Sequence, residues 1–329
     1  MKATTPQIID IHSHYVPRAL MLHVADRPVG GVAAVTTGPN QFHFEFPGSQ
    51  ATRALPAKLI DIEDRGAWMT DQGIEMQVLT TWADIFGYGL EERAGIEWSR
   101  ALNDTLLGAI SGDDRYRALA TLPMQSVDGA TDVMDEALRN GFAGVTIGAQ
   151  IDGDELDHER FDPFWQAASD FKAAVLIHPA YLPGQVRTAA YGLTNAVGRG
   201  MDTTIAGARL LGAGIPERYP DARIILSHGG GALPYLMGRL IRNREIMPEL
   251  PDPNLGFARL LFDTVVFEPD TLRFLIGRAS PGAVLLGSDY PFPIGDPQPL
   301  RVVAEAGIGE SARDSVLGAS AIAALGGRI

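Results

Sequence analysis

The 329-residue chain contains no cysteine. That absence excludes disulfides, thiolate zinc sites, iron–sulfur clusters and a cysteine nucleophile. Positive charge is scarce as well: 27 Lys+Arg stand against 40 Asp+Glu, for a formal net charge of −13 and a pI near 4.9. Nucleic acids and anionic membranes select basic surfaces, so neither is an expected partner. No window approaches the ~20 apolar residues that span a bilayer. Residues 1–11 hold one Lys and no apolar run, unlike a signal peptide. A cytoplasmic protein is the expectation. Apolar material, by contrast, is ample: hydrophobic residues make up 46% and charged residues 20%, which suits a large core and argues against disorder.

Short runs rich in Val, Ile and Leu alternate with helical patterns along the whole chain. The spacing predicts strands at 7–11, 76–80, 116–122, 144–147, 174–177, 223–227, 260–265 and 284–287. Helices are predicted at 57–71, 91–111, 127–140, 163–171, 201–211, 233–247, 269–277 and 297–306. Continuous apolar strands alternating with helices imply parallel βαβ units. Eight of them predict an α/β fold, a closed (β/α)₈ barrel of the TIM type, as one domain over residues 1–329. A doubly wound nucleotide binder would place a glycine fingerprint after the first strand; instead Ile11 is followed by His12-Ser13-His14. The run Gly229-Gly230-Gly231 lacks a Walker lysine. Residues 15–56 break the rhythm with several Pro and Gly residues and a small β element at 41–46, and are expected to cap the barrel mouth as an insertion after strand one.

With no thiolate available, a metal must be held by imidazole and carboxylate. His12 and His14 stand two apart at the end of strand one, and residues two apart in a strand share a face. His178 ends strand five and His228 ends strand six, each after an apolar run, while strand eight leads into Asp289. In a parallel barrel all strands end on one rim, and that rim carries the active site. Five ligand-type side chains therefore converge. The remaining histidines, His23, His43 and His158, fall in loops or helix starts. Phe86, Tyr191 and Phe292, with Tyr88 and Tyr290, lie in loops at the same rim and could wall a conjugated ligand.

The arrangement resembles the amidohydrolase superfamily, and within it the 2-amino-3-carboxymuconate-6-semialdehyde decarboxylase-like family. The stretches that carry the likeness are Asp10-Ile11-His12-Ser13-His14-Tyr15-Val16-Pro17-Arg18, Phe86-Gly87-Tyr88, His178-Pro179, Ser227-His228-Gly229-Gly230-Gly231 with Leu236-Met237-Gly238-Arg239, and Gly287-Ser288-Asp289-Tyr290-Pro291-Phe292-Pro293. The resemblance implies His12, His14, His178 and Asp289 as metal ligands. It implies catalytic roles for His228, beside a metal-bound water, and for Asp289. Arg53 matches an arginine that grips a substrate carboxylate, and Arg239 one delivered into the neighbouring subunit's site, which implies a homodimer. Binuclear members carry a bridging lysine at the end of strand four; here that end reads Gly144-Val145-Thr146-Ile147-Gly148, so one metal is the simpler reading.

The resulting expectation is a metal-dependent, non-oxidative decarboxylase of a small conjugated or aromatic acid. A hydrolase or hydratase of a lactone, amide or unsaturated acid is the alternative, since the same five residues serve both. A binding protein on a dead barrel would lack a ligand, and none is missing. Zinc is favoured by the ligand set and the relatives, with manganese as the rival.

Overall fold

A computed structural model describes residues 7–38, 41–49, 51–180 and 186–329. Eight of its strands form one parallel sheet: β1 (Ile9–His14), β4 (Met76–Thr80), β5 (Tyr116–Thr121), β6 (Gly144–Gly148), β9 (Ala174–His178), β10 (Arg223–Leu226), β11 (Leu261–Asp263) and β12 (Val284–Leu285), neighbours in that order. The Ile11 N–H donates to Leu286 O at 2.9 Å, and Ser13 bridges Tyr290, so the last strand returns to the first. The result is the (β/α)₈ barrel expected. β1, β4, β6 and β9 are buried along their whole length, because helices cover one face and the barrel interior the other. The long helix Glu92–Ile110 shows how the outer layer is held: Trp98, Leu102 and Leu106 recur every fourth residue and are fully buried.

Several boundaries differ from expectation for physical reasons. β1 runs on to His14, so His12 and His14 are strand residues rather than its sequel. The apolar pattern stops at Ile11, but the ladder to β4 continues as far as His14 opposite Thr80, past a bulge between Asp10 and Ser13. β12 is only two residues long. Beyond it, residues 286–289 bond to β1 without a regular ladder, through Ser288 and Asp289 N–H groups donating to His12 O. The helix expected over 57–71 is two, Ala57–Ile60 and Ile62–Gln72, broken at Asp61, whose carboxylate accepts the Glu63 and Asp64 N–H groups as an N-cap.

Inside the insertion a helix, Arg18–Asp26, buries Leu20, Met21 and Val24. It is followed by an antiparallel hairpin of β2 (Ala33–Gly38) and β3 (Gln41–Glu45), of which only the second strand was expected. A second small hairpin, β7 (Gln150–Ile151) with β8 (Asp154–Glu155), follows β6. Phe42, Phe44, Leu55 and Trp98 belong to one core cluster, which fastens the insertion onto the barrel.

Candidate metal centre

Four imidazoles meet where the strands end. Ring centroids of His12 lie 5.1 Å from His14, 5.0 Å from His178 and 5.4 Å from His228; His14 lies 4.8 Å from His178. Asp289 Oδ1 is 3.0 Å from His14 Nε2 and 3.6 Å from His12 Nε2, and its Oδ2 is 3.9 Å from His228 Nε2. All five sequence-derived residues are thus brought together. Backbone geometry contributes: His228 (φ 55°) and Asp289 (φ 58°) are both left-handed, a conformation that costs a non-glycine residue roughly 1 kcal/mol or more. At His228 the turn is held by Asp263, whose carboxylate accepts the N–H groups of His228 (2.9 Å) and Gly229 (2.8 Å).

Protonation follows from the partners. His12 Nδ1 lies 2.6 Å from Asp263 Oδ2, so it carries the proton. His14 Nδ1 lies 3.1 Å from the Thr81 carbonyl, which can only accept, and 3.0 Å from the Thr80 hydroxyl, so it carries the proton when a cation occupies Nε2. Both rings aim Nε2 into the site, the two atoms only 3.2 Å apart and that of His14 3.0 Å from Asp289 Oδ1. Positive charge must lie between them. Burial opposes a charged His12, yet the hydrogen bond and charge of Asp263 raise its pKa, so in the metal-free protein a proton partly fills that need. One proton does not serve the rest of the cluster. Among the described residues, both nitrogens of buried His178 and Asp289 Oδ1 have no hydrogen-bond partner. Burial and the neighbouring imidazoles drive His178 well below its ordinary value, leaving it a neutral donor. Burial would raise Asp289, but His14, His228 and the charge of His12 hold it well below the usual carboxylate range. Neutral imidazoles, an ionised carboxylate and orphaned donor atoms fit a divalent cation.

Two four-residue ligand sets compete, one grouped by the geometry and one implied by the resemblance. One ligand atom each from His12, His178, His228 and Asp289 can be chosen within 4.8 Å of one another. The other set replaces His228 with His14. The second is favoured chemically: the His14 tautomer is fixed by a carbonyl in the manner of metal-bound histidines, and the ring is buried. His228 Nδ1 faces only the Ser227 hydroxyl at 3.2 Å, which can donate or accept, and its side chain is 16% exposed.

The model described as Amidohydrolase matches residues 9–327. The chain belongs to the amidohydrolase family. It is 26% identical over 335 residues to a 2-amino-3-carboxymuconate-6-semialdehyde decarboxylase from Dictyostelium discoideum, covering 97% of this chain and 91% of that one. It is 29% identical over 265 residues to a gamma-resorcylate decarboxylase from a Rhizobium species, covering 73% of this chain and 80% of that one. A solved dihydroxybenzoic acid decarboxylase from a Polaromonas species, with manganese and 2-nitroresorcinol bound, shares the fold at a TM-score of 0.76 and 21% identity, covering 97% of both chains.

The other expected residues scatter. A cavity of about 920 Å³ opens at the same rim, walled by the insertion (Phe46 to Arg53), the loop after β4 (Asp84, Phe86, Tyr88) and the segment beyond β9 (Asn195, Arg199). None of the five ligand-type residues is in its wall. Phe292 touches both regions: its ring packs 5.0 Å from His14 and 5.8 Å from the guanidinium of Arg53, a wall residue. Phe86 and Tyr88 line the cavity; the Tyr88 hydroxyl also accepts the Gly148 N–H. Tyr191 does not. It is 95% exposed at a left-handed turn (φ 59°) and, unlike its neighbour Gly192, is not among the residues that line the cavity. Tyr290 is a packing residue, stacked on Trp68 at 4.2 Å. Arg239 is exposed on the helix Leu233–Ile246. His23, His43 and His158 stay outside the cluster; His43 pairs with Glu45, and His158 accepts the Arg160 N–H. Missed from the sequence were Asp263, Thr81, Asp84 and Arg199.

Proposed function

We propose that the protein is a metal-dependent, non-oxidative decarboxylase of a small conjugated or aromatic carboxylic acid. The observation that carries this reading is the pair of converging His12 and His14 Nε2 atoms beside the His178 and Asp289 donors, with Phe292 packed against both His14 and Arg53 of the neighbouring cavity. The names of the relatives supply the choice of decarboxylation over hydrolysis. His12, His14, His178 and Asp289 would hold one divalent cation, zinc by ligand preference and manganese by analogy with the Polaromonas enzyme. Bound there, such an ion polarises oxygen ligands and acidifies water.

The chain's own residues do the rest. Arg53, laid over Trp82 and Phe292, offers a planar fork to a substrate carboxylate. The Phe292 ring shields the His14 side of the site from water. As the carbon–carbon bond breaks, its electron pair stays on the ring carbon and carbon dioxide leaves. His228 delivers a proton from Nε2 to that carbon, and solvent reprotonates His228 through its exposed edge. The insertion acts as the cap over the mouth, supported by its share of the cavity wall. The working unit is a homodimer in which Arg239 enters the partner's site, supported by the exposure of Arg239 and of its apolar neighbour Tyr235.

The test is carbon dioxide release by zinc- or manganese-loaded protein from a panel of hydroxybenzoates and muconate semialdehydes. Lactone opening serves as the counter-assay. His228→Asn is expected to cut turnover by ~10²–10⁴-fold while retaining the metal. Lactone opening without any carbon dioxide would overturn the reading.

A further inference from the structure

The ladder between β4 and β5 stops short of the rim. Its last paired residues are Leu79 and Ala118, whereas β5 stays paired with β6 as far as Thr121 opposite Thr146. The register is set by the Gln77 N–H, which donates to Arg115 O at 2.9 Å. Continued in that register, the ladder would carry the Thr121 N–H onto the Thr81 carbonyl. The chain does otherwise. Asn103, on the helix Glu92–Ile110, accepts the Thr121 N–H on Oδ1 at 2.8 Å and donates Nδ2 to the Thr121 carbonyl at 3.0 Å. One side-chain amide thus replaces a stretch of strand, and both backbone groups stay paired.

The exchange releases the Thr81 carbonyl, which lies 3.1 Å from His14 Nδ1. The Thr81 hydroxyl keeps the link to β5: it lies 2.6 Å from that of Thr121, and among the described residues it has no other hydrogen-bond partner. The Thr80 hydroxyl, 3.0 Å from the same His14 nitrogen, can donate or accept; the carbonyl can only accept, and so sets the direction of the ring. Asn103, Thr121, Thr81 and His14 are all buried, so water does not compete for these bonds. Stability alone does not require the arrangement. A longer ladder would pair Thr121 without burying an amide, but it would spend the Thr81 carbonyl along the sheet.

We propose that Asn103 is a positioning residue of the metal centre: by taking the Thr121 N–H it releases the Thr81 carbonyl, and through the contact between the Thr121 and Thr81 hydroxyls it holds that carbonyl where it orients His14 Nε2 toward the cation. The inference rests on the reading of His14 as a ligand, and its test reads metal binding, not carbon dioxide release.

Zinc affinity of the full chain is measured by competition with a chromophoric chelator, and ligand geometry by the visible absorption bands of the cobalt-loaded protein. Asn103→Leu is expected to weaken zinc binding by ~10–100-fold and to shift the cobalt bands. Asn103→Asp, whose carboxyl still accepts the Thr121 N–H, should recover part of both. Thr81→Val should act in the same direction as Asn103→Leu, and Thr81→Ser should behave as wild type. Because the two positions lie on one path, Asn103→Leu combined with Thr81→Val should cost about as much as the larger single loss, not the product of the two. A merely structural Asn103 would lower the Tm of the metal-free protein and leave affinity and bands alone; that result overturns the proposal, as does a double variant whose losses multiply. Should Asn103→Leu fail to fold, Thr81→Val with zinc affinity within about twofold of wild type and unchanged bands overturns it as well. His14→Ala is expected to abolish tight binding and separates the two readings. If zinc affinity survives it, His14 is no ligand and both fall; if it is lost there while Asn103→Leu and Thr81→Val bind as wild type, this proposal alone falls.

Discussion

Asp263 holds more of the site than any ligand does. Its Oδ2 accepts from His12 Nδ1 (2.6 Å) and the His228 N–H (2.9 Å), and its Oδ1 from the Gly229 (2.8 Å) and Val265 (3.0 Å) N–H groups. Burial alone would raise its carboxyl, but the bond to His12 and the positive environment keep it below the usual value and ionised. One side chain thereby fixes the tautomer of a metal-facing imidazole and the left-handed turn that presents His228. An amide cannot do both, because its NH₂ must face either a ring N–H or a backbone N–H. Asp263→Asn is therefore expected to weaken metal binding by ~10–100-fold, as loss of an outer partner of a ligating histidine does. Titration against a chromophoric chelator measures this; an affinity within twofold of wild type would show that His12 needs no such partner. Asp263 was within reach of the sequence, because it ends an apolar run as His178 and His228 do. Extending that strand to residue 265 hid it, since a carboxylate in mid-strand reads as an interruption and not as an end.

At the scale of elements, β1 presents two imidazoles and is locked by a buried polar network. Asp10 accepts the His12 N–H (3.1 Å), the Ser288 hydroxyl (2.6 Å) and the Gln77 amide (2.7 Å); Gln77 in turn accepts from Arg65 (2.9 Å). Arg65 also donates to the His14 carbonyl and lies over Tyr290 and Tyr15, at 4.8 Å and 5.5 Å. Burial lowers this guanidinium to about 10, still charged at neutral pH. Arg65→Met fills similar volume but strips the donors from the His14 carbonyl and Gln77. The expected loss is about 3–5 kcal/mol of stability, read as a lowered Tm, with metal affinity falling in parallel because β1 loses its tether to the helix Ile62–Gln72. An unchanged Tm would mean that the network is dispensable. Helix and strand identities along the barrel were readable because their periodicities differ, 3.6 against a continuous apolar run. The exceptions are instructive. β12 and the end of β1 are shaped by side-chain bonds to Asp10 and Ser288 from opposite ends of the chain, and such long-range partners leave no local pattern. The helix Arg18–Asp26 and β2 were hidden for another reason: their cover is the core cluster of the insertion itself, so Pro and Gly spacing said only that the rhythm was broken.

For the whole molecule, the open question of function is how many chains make a site. Among the described residues Arg239 has no carboxylate within ion-pair distance, and it projects to solvent one and a half turns along a helix that begins at the rim. Around it the surface is unusually apolar for so acidic a chain: Tyr235 is 80% exposed, its ring 6.4 Å from that of half-exposed Phe274, and Met201 and Ile205 lie open on the helix Arg199–Gly212. Large exposed apolar side chains grouped on adjacent helices suit a self-complementary two-fold interface. Sedimentation at micromolar concentration is expected to give a dimer, and Tyr235→Asp to give a monomer with its metal retained. Subunit mixing then tests whether Arg239 crosses the interface. Arg239→Ala and His228→Asn chains are each expected to be nearly inactive. A mixed dimer would rebuild one site from intact His228 of one chain and intact Arg239 of the other. Random reassortment should recover about a quarter of wild-type activity, because half the dimers are mixed and each has one good site. No recovery from a verified mixed dimer would place Arg239 in service of its own subunit or of none.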